Sequence, residues 1–590
     1  MFRAVLIANR GEIAIRVARA CRELGVRTVG VYSEIDRDAP HVAAMDEAFL
    51  LGAAPASESY LAIDKVIDVA RRAGVDAIHP GYGFLSENAD FAQAVADAGL
   101  TFIGPPPEAI AAMGDKLSAR AVADAAGVPV VPGTREPTDD PEEAIRFGDE
   151  YGYPVAVKAM FGGGGRGMKV VGSREEMRDA LIAARRESQA AFGRGECYLE
   201  RYLERPRHVE IQVLADLDGH TIYLGERDCS LQRRHQKLVE EAPAPGVTEA
   251  VRGAMGEAAV RVAKEMGYTN AGTCEFLLDE DGETFYFLEM NTRLQVEHPV
   301  TELVTGVDLA QAQLRIASGD GMGLTQQDVE LRGHAIEARI NAEEPAANFV
   351  PTPGTIGDLQ VPLGPWVRFD TGVRAGYTVP RDYDSMIGKL IVWAPDRDGA
   401  RARMSRALDE LVIENVPTTV TFHRLAMTHP QFAAGEHATS SVEREWDLSS
   451  LEPQPTAPAD EDEGTGAAGR ELTVEVDGRR LKVRLFGDLP AGGGPVAAAG
   501  PTPRRRTGSS GSGGAAVSSE DLVAPMQGTV IEVSVEKGAT VAEGDTLLVL
   551  EAMKMENAVK AHRGGVVTSL PVSAGEVVQP GAVLARIEDA

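Results

Sequence analysis

An α/β segment, a larger α+β body and a small all-β sandwich follow one another in the architecture this sequence predicts. Three observations carry that reading. A strand–turn–helix–strand run opens the chain, hairpin-forming strands fill its middle, and one β-unit occurs twice near its end. The 590 residues exceed what one core supports and imply roughly three to five domains.

In the first segment AVLIA (4–8) reads as a strand, Asn9-Arg10-Gly11 as a turn and Glu12 to Leu24 as a helix. Ile13, Val17, Ala20, Cys21 and Leu24 form the helix's apolar face, and Gly25 ends it. RTVGVY (27–32) completes a βαβ unit, and the alternation continues to about residue 110.

From about 130 to 340 the pattern changes. PVAVKAM, MKVV, RHVEIQVLAD, HTIYLGE, GTCEFLL and TFYFLEM read as strands in hairpins, with helices between them. A third compact region runs to about Trp446. LEPQPTAPADEDEGTGAAG then buries little and reads as a linker. ELTVEVDGRRLKVRLFG (471–487) is a hairpin around Asp477-Gly478, and a second Gly/Pro-rich linker follows it.

The closing unit is justified by its repeat. Gly528, Gly538, Gly544 and Glu551 recur as Gly565, Gly575, Gly581 and Glu588, each 37 positions on. Val530, Val535 and Val541 recur at the same offset as Val567, Val572 and Val578. Two copies of one β-unit predict a sandwich with pseudo-twofold symmetry. Lys554, in EAMKMENAV, falls in the short connection between the copies.

A formal charge of −30 argues against nucleic acid or an anionic membrane as the main partner. The four cysteines are far apart and form no CxxC pair, so neither a disulfide framework nor a zinc knuckle is indicated. The N-terminal apolar run is too short for a signal sequence, and no uncharged run spans a bilayer. A cytoplasmic protein is expected.

The middle of the chain holds the chemistry. FGGGGRGMKV (161–170) contains GxGxxG but lies between two strands, and Met168 stands where a P-loop needs its lysine. It reads as a glycine hairpin whose bare N–H groups close over phosphates, with Lys158 beside it as a point charge. In GTCEFLLDEDGETFYFLEMNTRLQVEHP, Glu275 and Glu289 face each other across a hairpin and suit Mg²⁺ between themselves and a phosphate. Glu289, Asn291, Arg293, Gln295 and Glu297 alternate beyond it, as on the polar face of an extended segment. Glu337, Arg339 and Asn341 repeat that pattern, and Arg233, Arg234, His235 and Lys237 add a basic cluster. Together they predict a Mg-nucleotide site serving phosphoryl transfer or ATP-driven ligation.

NRGEIAIR, HPGYGFLSEN, GGGGRGM, RHVEIQV, ERDCSLQRRHQK, EMNTRLQVEHPVTE and EARINAE closely resemble biotin carboxylase, an ATP-grasp enzyme, from residue 1 to about 446. APMQGTV and EAMKME resemble the biotin carboxyl carrier domain, and the fusion is similar to the α-subunit of an acetyl-/propionyl-CoA carboxylase. The resemblance implies a Rossmann-like N-terminal biotin carboxylase (pre-ATP-grasp) domain at 1–115 and an ATP-grasp domain at 116–320, with a mobile glycine-rich lid at about 130–205. A C-terminal biotin carboxylase domain (321–446), linkers with the short hairpin (447–520) and a flexibly linked, flattened biotinyl/lipoyl-like sandwich (521–590) complete it. Several longer relatives carry a sizeable docking domain where this chain has only the hairpin.

The same resemblance implies the site. Lys116, Lys158, Gly162, Gly163, Gly164, Gly165, Gly167, Glu200, Arg201, Tyr202, Leu203, His208, Gln232 and His235 would bind ATP. Glu275, Glu289 and Asn291 would hold Mg²⁺ or Mn²⁺. Lys237, Arg293, the Val296 backbone and Arg339 would surround bicarbonate, with Glu297 as the base that deprotonates it. Lys554 would carry biotin as an amide. Implied partners are a carboxyltransferase β-subunit, a biotin protein ligase and further copies of the chain, in fatty acid biosynthesis. The alternatives are a methylcrotonyl-CoA-type carboxylase subunit, another ATP-grasp ligase with a lipoyl-like domain, and a non-catalytic carrier.

Overall fold

The computed structural model describes residues 1–134, 136–159, 168–192, 196–455, 470–476, 479–485, 521–524, 528–535, 537–552, 555–573, 576–578 and 582–588. They fall into two compact units, Met1–Ala459 and Asp460–Ala590.

The first unit opens with β1 (Ala4–Ile7), β2 (Arg27–Ser33), β3 (Glu47–Gly52), β4 (Ala77–His79) and β5 (Thr101–Phe102), a parallel sheet in the order β3-β2-β1-β4-β5. Helix α1 (Gly11–Glu23) follows β1, and the chain leaves it through Gly25 at φ +72°, a left-handed turn glycine makes without strain. The strand order reverses between β1 and β4, so the loops after both meet at one crevice. There the Asn9 amide donates to the carbonyls of Pro80 (2.7 Å) and Tyr82 (2.8 Å), anchoring HPGYGFLSEN.

A separate three-stranded sheet follows, β6 (Val155–Ala159), β7 (Met168–Val171) and β8 (Cys197–Arg201), in the order β7-β6-β8. Ala144, Phe147, Met177 and Leu181, from helices Pro141–Tyr151 and Arg174–Phe192, pack its core. The glycine hairpin, Gly162 to Gly167, lies outside the described residues.

The largest element is an eight-stranded antiparallel sheet. It comprises β9 (Arg207–Ala215), β10 (Thr221–Arg233), β11 (Gln236–Ala242), β12 (Asn270–Leu278), β13 (Phe285–Asn291), β14 (His334–Asn341), β15 (Val367–Thr371) and β16 (Met386–Ala394). Their order is β13-β12-β9-β10-β11-β14-β16-β15. Because β11 pairs with β14, one sheet runs through both the middle and the third regions of the chain. The polar alternation from Glu289 to Glu297 departs from the extended segment expected of it. The strand ends at Asn291, the chain bends, and Glu297 immediately precedes the helix His298–Thr305. The physical reason is burial on both sides: Thr292, Leu294, Gln295 and Glu297 are all buried, so no solvent face exists to sustain a half-exposed strand.

The second unit contains a hairpin, Arg470–Val476 with Arg479–Leu485, and an eight-stranded sandwich. Asp477-Gly478 lies outside the described residues. In the sandwich the repeat is structural. Strands Gly528–Val533, Thr540–Val541 and Thr546–Ala552 correspond to Gly565–Ser569, Val577–Val578 and Val583–Glu588. The short strands are exchanged: Thr540–Val541 pairs with the second copy's Gly565–Ser569, and Val577–Val578 with the first copy's Gly528–Val533. Repeat-related side chains fill the core in pairs, Val530 with Val567, Leu547 with Leu584 and Leu550 with Ile587, all fully buried. Leu547→Ala and Leu584→Ala should therefore destabilise the sandwich by similar amounts, about 2–5 kcal/mol each. Amide exchange of the whole chain would read this, and a small effect of either one alone would break the equivalence.

Candidate active site

Every described candidate from Lys158 to Arg339 lines one cleft of about 700 Å³ in the first unit. Lys116 begins the helix Lys116–Ala125, and its side chain lies outside the described residues, as do Gly162, Gly163, Gly164, Gly165, Gly167 and Lys554. Lys158 on β6 is ion-paired with Glu200 on β8, since the two strands are antiparallel neighbours. Arg201 binds the Tyr286 hydroxyl at 2.9 Å and Asp279 at 3.1 Å. Tyr202 accepts from Arg444 at 2.9 Å, and Leu203 is buried beside it. Gln232 is buried near the end of β10, and His235 sits exposed in the turn to β11 at φ +66°.

Around Lys237 the charges converge. The Lys237 ammonium contacts Glu210 (2.7 Å), Glu275 (3.0 Å) and Glu297 (2.7 Å). Arg339 donates to Glu240 at 2.5 Å and to Glu297 at 2.8 Å. Burial pushes the Glu297 carboxyl up, but Lys237, Arg339 and Arg227 outweigh it and hold it well below the ordinary carboxylate range. Arg293 reaches Glu87 (2.9 Å) and the Asn291 side-chain oxygen (2.8 Å).

Glu275 and Glu289 are direct cross-strand partners, as the hairpin predicts. Burial, then the neighbouring carboxylates Glu275 and Glu87, push the Glu289 carboxyl up. The Glu275 and Glu289 carboxylates with the Asn291 side-chain oxygen form an all-oxygen donor set suited to a hard divalent cation. His208 lies 3.2 Å from Glu275 on the same floor.

Several groups essential to this geometry escaped the sequence reading. Glu210 on β9 accepts from both Lys237 and Arg227. Arg227, fully buried, also donates to Gln212 (2.8 Å), Thr301 (3.0 Å), Thr273 (3.1 Å) and Gln295 (2.7 Å). Gln295 in turn donates to Glu275 at 2.9 Å. The available signal was a charge inside an otherwise apolar strand, as in RHVEIQVLA and MIGKLIVWA, since such charges persist only when partnered.

Known proteins resemble this chain over its carboxylase and carrier regions. The biotin carboxylase N-terminal domain description matches residues 1–110, the ATP-binding domain of the carbamoyl-phosphate synthase L chain 115–325, and the biotin carboxylase C-terminal domain 337–444. The description "biotin-requiring enzyme" matches 520–587. The biotin-dependent acyl-coenzyme A carboxylase alpha3 subunit of Mycobacterium leprae is 50% identical, covering 99% of this chain and 98% of that protein. The chain belongs to the biotin carboxylase family. A Nostoc biotin carboxylase is 54% identical over 75% of this chain and 99% of its own. The biotin carboxylase domain of Hydrogenobacter thermophilus 2-oxoglutarate carboxylase, a dimer solved with MgADP, ADP and bicarbonate, superposes with a TM-score of 0.69. It is 48% identical and covers 75% of this chain and 97% of that one.

As a biotin carboxylase with its own carrier domain, the protein is an ATP-dependent carboxylase whose cofactors are biotin, ATP and Mg²⁺. The near-complete coverage of the mycobacterial relative means that the short interval between carboxylase and carrier is shared with it. Among the described residues no helix is long and apolar enough to cross a membrane.

Proposed function

We propose that this chain is the biotin carboxylase and carrier subunit of an acyl-CoA carboxylase, acting on acetyl- or propionyl-CoA through a separate carboxyltransferase subunit. The observation that carries the reading is Glu297, a buried carboxylate shared between Lys237 and Arg339 at one end of a nucleotide-sized cleft. Bicarbonate entering there is held by Lys237, Arg293, Arg339 and the Val296 N–H. It divides their charge with Glu297, which raises the basicity of that carboxylate and lets it take the bicarbonate proton. The freed oxygen attacks the γ-phosphorus of ATP, ADP leaves, and carboxyphosphate forms. Glu275, Glu289 and Asn291 would hold Mg²⁺, which offsets charge on the phosphoryl groups. Lys158, His208, Gln232 and His235, with Glu200 to Leu203, would seat the nucleotide, and Lys116 and the glycine hairpin would close on its phosphates. Carboxyphosphate would break to CO₂ and phosphate, the phosphate would take the ureido N–H proton of biotin carried on Lys554, and the freed nitrogen would bond the CO₂. Arg339 would hold the oxygen that becomes negative during that transfer.

Partners consistent with this chemistry are the carboxyltransferase subunit, a biotin protein ligase and a second copy of the chain, since the Hydrogenobacter domain is a dimer. Purified biotinylated protein should cleave ATP only when bicarbonate and biotin are both present. ATP cleavage indifferent to bicarbonate would sink the reading. Co-purification of the partner, assayed with acetyl- against propionyl-CoA, decides the acyl substrate.

A further inference from the structure

Lys389 lies in the middle of β16, in the run MIGKLIVWA, and is fully buried. A buried ammonium is costly unless it is fully partnered, and an apolar residue would fill that position with no such cost. Its partners explain its presence. The ammonium donates to the Val296 carbonyl at 2.7 Å and lies 3.2 Å from the Glu12 carboxylate on α1. Glu12 also accepts from the Tyr82 hydroxyl, and the Tyr82 ring is 5.9 Å from the ammonium.

Three features give the Val296 contact its meaning. Lys389 and Arg339 are direct cross-strand partners on β16 and β14, so both project from the same face. Arg339 grips the Glu297 carboxylate while Lys389 grips the carbonyl one residue earlier, in the peptide that leads into Glu297. The preceding peptide is fixed as well, because its Gln295 carbonyl lies 2.8 Å from the His298 ring nitrogen. Both peptide planes flanking Val296 are therefore pinned from outside the cleft. The N-terminal contact is rigid too: a Cβ on Gly372, just past β15, would come within 2.7 Å of the Glu12 nitrogen.

We propose that Lys389 is a positioning residue for bicarbonate deprotonation. It holds the Val296–Glu297 peptide so that the Glu297 carboxylate and the Val296 N–H face the same bound anion. Glu12 and Tyr82 partner the ammonium from the N-terminal segment, while the bond to the Val296 carbonyl is the one that sets the base. The proposal rests on the reading of Glu297 as the base. The competing account makes Lys389 only the counter-ion of Glu12.

Bicarbonate-dependent ATP cleavage by the full biotinylated chain separates the two. Lys389→Met should lower kcat by about 10²-fold, the scale of a misplaced reacting group, while MgADP binding is retained. Lys389→Met combined with Glu12→Gln removes both buried charges and should recover the thermal midpoint lost in the single variant, yet not kcat. A double variant whose activity returns with its stability would overturn the proposal. Glu12→Gln alone keeps the Lys389–Val296 bond and should retain kcat, and a loss as large as that of Lys389→Met would equally overturn it. Glu297→Gln in the same assay judges the underlying reading: full activity there removes Glu297 as base, a result distinct from recovery in the double variant.

Discussion

Glu297→Gln should lower bicarbonate-dependent ATP cleavage by about 10²–10⁴-fold, the usual contribution of a positioned base. The amide keeps the volume and can still accept one hydrogen bond from Arg339 or Lys237, but it cannot take a proton. MgADP affinity should be largely retained, because the Glu297 carboxylate is engaged by Lys237 and Arg339 and is not among the groups that would seat the nucleotide. The pH profile supplies a second check. In the free protein the cationic neighbours hold the Glu297 carboxyl well below the ordinary range, so it is ionised throughout the neutral region. An acidic limb belonging to Glu297 should therefore appear only after bicarbonate has claimed part of the charge on Lys237 and Arg339. It should show in kcat rather than in kcat/KM. A variant that kept its turnover would show that the base lies elsewhere.

Lys554→Ala should abolish carboxylation of acyl-CoA while free biotin, supplied as a separate substrate, is still carboxylated. The strands on either side support this. Thr546–Ala552 and Met555–Lys560 are antiparallel, with Ala552 opposite Met555, and residue 554 falls between them. The cleft carrying Glu297 belongs to the other unit, Met1–Ala459, so removing the lysine leaves it intact. Equal loss of both activities would contradict a carrier role. Mass spectrometry of the intact parent chain should show one biotin, and lipoate in its place would point to the lipoyl-like alternative.

Local pattern carried much of this architecture into the sequence. The turn at Asp279 to Gly282 sets Glu275 opposite Glu289 at short range, and the pairing is observed. The 37-residue offset reappears strand for strand and in the matched core residues Leu547 and Leu584. The illegible part was non-local. Arg227 gathers partners from four other segments, and no periodicity announces contacts between residues so far apart in the chain. The alternation after Glu289 misled because period two describes a strand with one wet face, whereas this segment is enclosed and turns. Lys389 was passed over for a related reason. A lysine inside an apolar run has meaning only once its acceptors, Val296 and Glu12, are known.

The exchange of short strands within the sandwich bears on when the protein can be modified. The hairpin flanking Lys554 belongs to a sheet completed by Val577–Val578, from the second copy, and Thr540–Val541 serves the other sheet in return. Neither copy closes its own edge, so half a carrier leaves unpaired strands and no folded surface around the lysine. A ligase that reads the folded domain must therefore wait until Val577–Val578 and Val583–Glu588 have been made. Chains cut short after the lysine, although they contain the whole EAMKME motif, would be passed over and never loaded.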